Sequence, residues 1–256
     1  MFKYIEPLYK NNMILTAQLL QEHTGYSCQV LQNAYIDYAD GIISGVDVQI
    51  TDTHIQIMPG LIKHNQILYS LNEKIQLPYE HKGIETFLRI RFLDAVEREG
   101  SIYHETELVL SEDATEFPYE MELGRFTAAP GATLYKNVTD FSKLSVAYDN
   151  FDIRYVRYAA PRVSTVSPVI TTLFGKALLD RRTTDVYDVA FAMQCMSGQT
   201  IAREVIENYI QIKTNRRDRE LTNEQIYQEF VQILKQPVTQ GRFLMREQPL
   251  RRVVVD

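Results

Sequence analysis

From about residue 41 to residue 125 hydrophobic positions fall repeatedly at every second residue, and beyond residue 160 they fall at every third or fourth. Val46, Val48 and Ile50 alternate with polar neighbours, and the pattern resumes at Ile55 and Ile57. It stops at Met58-Pro59-Gly60 and restarts at Ile67-Leu68-Tyr69. A period of two buries one face and wets the other, which predicts antiparallel sheet. Leu88, Ile90 and Phe92 then alternate with Arg89 and Arg91. Ile102, His104, Thr106, Leu108 and Leu110 form a further run, and Met121 and Leu123 alternate with Glu120 and Glu122. Gly83, Gly100, Gly124 and Gly131 punctuate the block as turn residues do. About seven or eight strands, in one antiparallel barrel or sandwich, are expected from Val46 onward.

Helices flank this block. Thr16 is placed to cap a first helix reaching about Asp37, the turn Asp40-Gly41 following it. Leu20, Thr24, Ser27, Leu31, Ala34 and Tyr38 give it a heptad-like stripe that is small and polar in its middle. Such a helix is expected to lie across a sheet or a neighbouring subunit rather than to stand alone. Ahead of it runs an apolar lead-in, Pro7, Leu8, Tyr9, Met13, Ile14 and Leu15. Past Pro161, Ser164 or Thr165 is placed to cap a helix carrying Leu173, Phe174, Ala177 and Leu178. Asp185 opens a longer one through Val189, Met193, Met196 and Val205 to Tyr209, which Ser197-Gly198 is placed to break in two. Thr222-Asn223-Glu224-Gln225 is a capping box. The pattern therefore predicts an α+β chain: an N-terminal helix and an antiparallel β-barrel or sandwich over 1–160, a helical bundle over 161–240, and a tail over 241–256. The run Val253-Val254-Val255 leaves that tail open between a disordered end and a strand added to a partner's sheet.

Composition narrows the function more by exclusion than by signal. A net charge of −6 over 256 residues argues against a nucleic-acid binder, whose affinity comes from basic phosphate contacts. Sixteen Tyr, eleven Phe and no Trp suit strands and half-buried positions. Cys28 and Cys195 are too far apart to suggest a zinc site or a disulfide framework, which sets a reducing cytosol as the expected compartment. The N-terminus lacks the apolar core of a signal peptide, and no run approaches the roughly 18 apolar residues of a membrane span.

Nor does a catalytic set emerge. The Walker, Gly-x-Ser-x-Gly and His-Glu-x-x-His patterns are absent, and no cofactor or metal is expected. His104 faces away from Glu105 and Glu107 on a strand, so the three do not converge on an ion. Glu105 and Glu107 share a face and make a distant glycosidase-like pair, although alternating acids usually form the wet face of a strand. Asp52, Glu120 and Glu122 read as wet-face residues in the same way.

The segment Pro7-Leu8-Tyr9 … Met13-Ile14-Leu15-Thr16-Ala17-Gln18-Leu19-Leu20-Gln21 resembles the start of the type VI secretion baseplate adaptor family. Gly41-Ile42-Ile43-Ser44-Gly45-Val46 … Ile55-Gln56-Ile57-Met58-Pro59-Gly60 is similar to a strand pair of phage-tail and contractile-injection baseplate proteins. The family's lead-in glycine is Asn12 here, and its Pro-Gln-His-Phe-Gln has become Thr16 to Gln21 without the His and Phe. The family also continues into a C-terminal head for which this chain has no room. The resemblance, carried by residues 5 to 70, implies a shoulder-like β domain followed by a helical bundle. It implies a homotrimer that links other baseplate or tail proteins, assembled in the cytoplasm into a phage tail-like or injection particle, with no enzymatic activity. Pro7, Leu8, Tyr9, Met13, Ile14 and Leu15 would then make the subunit or baseplate contact, or else plug the end of the chain's own barrel. A carbohydrate- or receptor-binding β-module is the rival expectation, because binding heads share this architecture.

Overall fold

The computed structural model describes residues 14, 16–136, 139–146, 148–215 and 220–237. The fold is α+β, with every paired strand antiparallel. A first helix, α1 (Ala17–Ala34), leads into eleven strands among the described residues. These are β1 (Gly41–Gly45), β2 (Val48–Ile50), β3 (His54–Ile57), β4 (Gly60–His64), β5 (Ile67–Leu71), β6 (Ile75–Pro78), β7 (Glu85–Phe92), β8 (Val96–Arg98), β9 (Ser101–Tyr103), β10 (Thr106–Ser111) and β11 (Glu120–Thr127). They form three sheets, in the orders β1-β4-β5, β2-β3-β6 and β10-β7-β11, with β8 and β9 as a separate hairpin. None of the three is closed into a barrel.

The run from Gly41 to Ile50 enters two different sheets because the backbone turns sharply inside it. Gly45 and Val46 both take left-handed conformations, φ +64° and +57°. The break also brings two chain segments into contact: a Cβ on Gly45 would lie 2.2 Å from the Pro59 carbonyl oxygen. The β4–β5 hairpin turns on Asn65 and Gln66, both left-handed, the conformation that matches the twist of paired strands across a two-residue loop. The run from Ile102 to Leu110 is likewise split, into β9 and β10, at His104-Glu105.

Beyond a short 3₁₀ turn (Phe141–Ser145) come α2 (Pro168–Asp180), α3 (Val186–Cys195), α4 (Arg203–Thr214) and α5 (Asn223–Lys235). Ser167, not Ser164 or Thr165, caps α2, since Pro168 fills the first helical position where a missing N–H costs nothing. The Thr165 hydroxyl instead donates to the Ile201 carbonyl at 2.7 Å. Asp185 caps α3, and the chain does break before α4, with Gly198 left-handed. The capping box on α5 is complete, Thr222 accepting from Gln225 N and Gln225 accepting from Thr222 N.

Core residues run without interruption from Ile42, Ile55 and Ile57, through Leu88 and Leu123, to Phe174 and Phe230. Phe141 joins the two regions, its ring 4.9 Å from Tyr227 and 5.7 Å from Phe174. Phe174 stacks on Phe230 at 3.9 Å and Phe191 on Tyr209 at 4.0 Å. Stacked aromatics thus sit at the centre of the helical packing, with Ile170, Leu178, Ile206, Ile226 and Ile233 buried around them.

Candidate functional site

Two helices carry apolar surface that their own chain does not cover. In α1 the residues whose burial is described, Ala17, Leu20, Gln21 and 24–34, are exposed or half-buried, and none of them joins the core. At 100° per residue Leu20, Thr24, Ser27, Leu31 and Ala34 lie along one side, while Gln21, Gln29 and Gln32 lie away from it. Thr24 turns its hydroxyl back onto the Leu20 carbonyl at 2.8 Å, which leaves its methyl on the stripe. The 18-residue helix contains a single carboxylate, Glu22, and neither Lys nor Arg.

α1 is held to the body at its C-terminal end. Lys63 on β4 is 2% exposed, and its Nζ donates to the carbonyls of Tyr35 at 2.6 Å, Ile36 at 3.1 Å and Tyr38 at 2.7 Å. An ammonium suits this place, because the carbonyls of the turn that follows a helix lie at the negative end of its dipole. Beside it, His64 stacks on Phe92 with centroids 3.8 Å apart, and its Nδ1 lies 3.4 Å from Asp40. Burial lowers the pKa of His64 against the opposing pull of Asp40.

In α3 the inward arc is Asp188, Phe191, Ala192 and Cys195. Asp188 is held there by Tyr209 Oη at 2.8 Å and by Lys213 Nζ at 2.9 Å. The outward arc is apolar as well: Val186 is 76% exposed and Met193 63%, with Val189, Ala190 and Met196 beside them. A surface helix that is apolar on both sides has the composition of one buried between two layers.

Polar chemistry collects elsewhere, in a cavity of about 400 Å³ between β7–β11 and the start of α5. Glu120 and Glu122, expected on a wet face, are largely covered there, their side chains 4% and 13% exposed, because the chain around Tyr155 and the N-terminus of α5 lie over that side of the sheet. Arg89 and Arg91 both bond Glu120, and Arg125 grips Glu122 at 2.8 and 2.7 Å. Burial pushes the Glu122 carboxyl up, with Arg125 opposing it. Arg203 donates to the Ser164 carbonyl at 2.6 Å and also to the Leu221 carbonyl and Asn223 Oδ1. No His or Cys lines the cavity, and its acids are engaged by arginines or, for Glu224, by Tyr155. Such a site ties sheet to helices and offers no free acid–base pair.

The other acids of the sequence reading stand apart from this cavity. Glu105 pairs with Arg98 at 3.4 Å, and Glu107 with Arg91 at 2.9 Å; both carboxylates are exposed, and Arg91 is half-buried because it also reaches Glu120. Among the described residues no group of three or more His, Cys, Asp or Glu could hold a metal ion. No described helix is long and apolar enough to cross a membrane.

No protein-family model matches the chain, and no curated protein matches it. Among solved structures it is similar to a crystal structure of TssK. That alignment has a TM-score of 0.44 and 9% identity, and covers 90% of this chain and 67% of the other. It is also similar to a chain from the baseplate complex of the type VI secretion system, with a TM-score of 0.37 and 10% identity over 91% of this chain and 100% of that one.

Of the residues expected at a contact, Ile14 is 84% exposed, while Pro7, Leu8, Tyr9, Met13 and Leu15 lie outside the described residues. The outer face of α3 escaped the sequence reading. Val189, Met193 and Met196 were placed on a helix by their spacing, with no direction assigned to them. The available signal was that apolar residues occupy more of that helix than one buried side requires.

Proposed function

We propose that this chain is a structural subunit of a phage tail-like or contractile-injection baseplate. It assembles as a homotrimer and links the baseplate to peripheral components. The resemblance of residues 5 to 70 to baseplate proteins supplies the particle, and one structural observation carries the need for partners: Leu20, Val30 and Leu31 of α1 are exposed, and no α1 residue whose burial is described is buried. A free helix of this length is marginal in water, and α1 has few charges to solvate it. It therefore gains its stability from another chain. The apolar outer face of α3 supports the same reading, as does a polar cavity whose acids are held by arginines or by Tyr155. The β region up to about residue 160 forms the shoulder, the helices to about residue 240 contribute to a shared bundle, and the lead-in from Pro7 to Leu15 reaches a partner.

Light scattering after size exclusion tests this directly. A mass three times that of one chain, held across micromolar concentrations, is expected. A monomer at every concentration overturns the oligomeric reading.

A further inference from the structure

We infer that the C-terminal segment Arg251-Arg252-Val253-Val254-Val255 enters an apolar slot in the β region as an added strand beside β5. The slot has a volume of about 370 Å³ and is bordered by β5, β6 and β10. Ile57, Ile62, Tyr69, Leu71, Ile75 and Leu108 are among the residues that line it, and Ile75 is left 44% exposed. Among the described residues β5 pairs only with β4, and β10 only with β7, so each keeps one unpaired backbone edge. An apolar lining alone admits many ligands. Free strand edges beside it call for an extended chain, which supplies N–H and C=O groups together with alternate side chains.

The tail has that character. Val253-Val254-Val255 is β-branched and free of proline, whereas the apolar lead-in is interrupted by Pro7. One register suits the site. Laid antiparallel to β5, the tail brings Val253 opposite Leu71 and Val255 opposite Tyr69, the two apolar residues that β5 gives to the slot. The same register brings Arg251 level with Glu73, which is exposed just past the end of β5, and Val254 opposite the exposed Ser70. Apolar contact and charge are therefore met together. Residues 238–250 extend to about 45 Å at most, and a chain of this length folds to a radius of gyration of about 18 Å, so the slot lies within reach of the tail.

Disulfide trapping tests this on the full chain. The exposed Cys28 is changed to Ser, Cys195 being buried, and Ser70→Cys and Val254→Cys are introduced together. In the stated register both face solvent, so neither change alters the slot's apolar lining. Oxidation with copper phenanthroline should consume both thiols, whereas Val254→Cys paired with Cys at the exposed Glu80 should keep them free. A link within one chain and a link between two chains both place the tail in the slot. The inference stands without the oligomeric reading, which light scattering of the wild type decides separately. Val253→Lys with Val255→Lys should lower the yield several-fold. Arg251→Glu should also lower it, and adding Glu73→Arg should recover it, with circular dichroism confirming that each variant is folded. Thiols that stay free in the Ser70 pair, equal linking in the Glu80 pair, or a yield indifferent to the two lysines would each overturn the inference.

Discussion

At the scale of single residues, Lys63 and His64 show how one end of a helix is mounted. The Lys63 ammonium is the shared donor for three carbonyls just after α1. Lys63→Met keeps the stem and removes those donors, leaving partly buried acceptors unsatisfied. It should cost about 3 kcal/mol, read as a lower denaturation midpoint, and an unchanged midpoint would mean that α1 is held by something else. His64 adds a pH dependence whose sign follows from burial. Its folded pKa lies below the ordinary 6.5, so the unfolded chain takes up the proton first as the pH falls. Stability is therefore unaffected well above pH 6.5 and drops as the pH passes down through 6.5 toward the folded value. His64→Phe retains an aromatic ring against Phe92 and should flatten the melting temperature between pH 7 and 5.5 relative to wild type. Parallel curves for the two proteins would assign the slope to other groups.

At the scale of elements, contact between α2 and α3 depends on a missing side chain. A Cβ on Gly175 would sit 2.6 Å from Cys195 Cβ and 2.9 Å from the Ala192 carbonyl oxygen. Gly175→Ala should therefore destabilise by about 1–3 kcal/mol through overpacking, although alanine is the better helix former. A gain in stability would show that α2 and α3 can separate freely. The same elements mark how far the sequence could be read. Ile55, Ile57, Leu88 and Leu123 sit in the core where alternation put them. β4 was hidden because Lys63 and His64 are buried polar residues and break the alternation. Glu120 and Glu122 were misplaced because a strand's pattern does not reveal what covers its second face. In α3, periodicity located a helix but not its inner arc. That arc was decided by Asp188, whose partners Tyr209 and Lys213 lie on the next helix, α4. The candidate contact was legible only as excess apolar surface, since a partner that lies outside the chain leaves no periodicity of its own.

At the scale of the molecule, the β and helical regions share one core and are tied across its polar side, which bears on how the chain unfolds. Phe141 packs against Tyr227 and Phe174, and the Tyr227 hydroxyl donates to the Phe141 carbonyl at 3.1 Å. Asn223 Nδ2 donates to the Val156 carbonyl at 2.8 Å, so the start of α5 is held by the segment leaving the sheets. Arg125 from β11 lies over the Tyr155 ring at 3.5 Å. With contacts of this kind, losing the helices would expose Phe141, Leu144 and Val156, and losing the sheets would leave α2 and α5 half-covered. Neither region then has a stable state without the other, and a single cooperative transition is expected. Phe141→Ala tests the coupling. The cavity it leaves should cost about 3–5 kcal/mol and lower the midpoint equally whether unfolding is followed by helical ellipticity or by tyrosine emission. Two separate transitions in the wild-type chain, or a variant in which the helical signal alone moves, would mean that the shared aromatics join two units that fold independently.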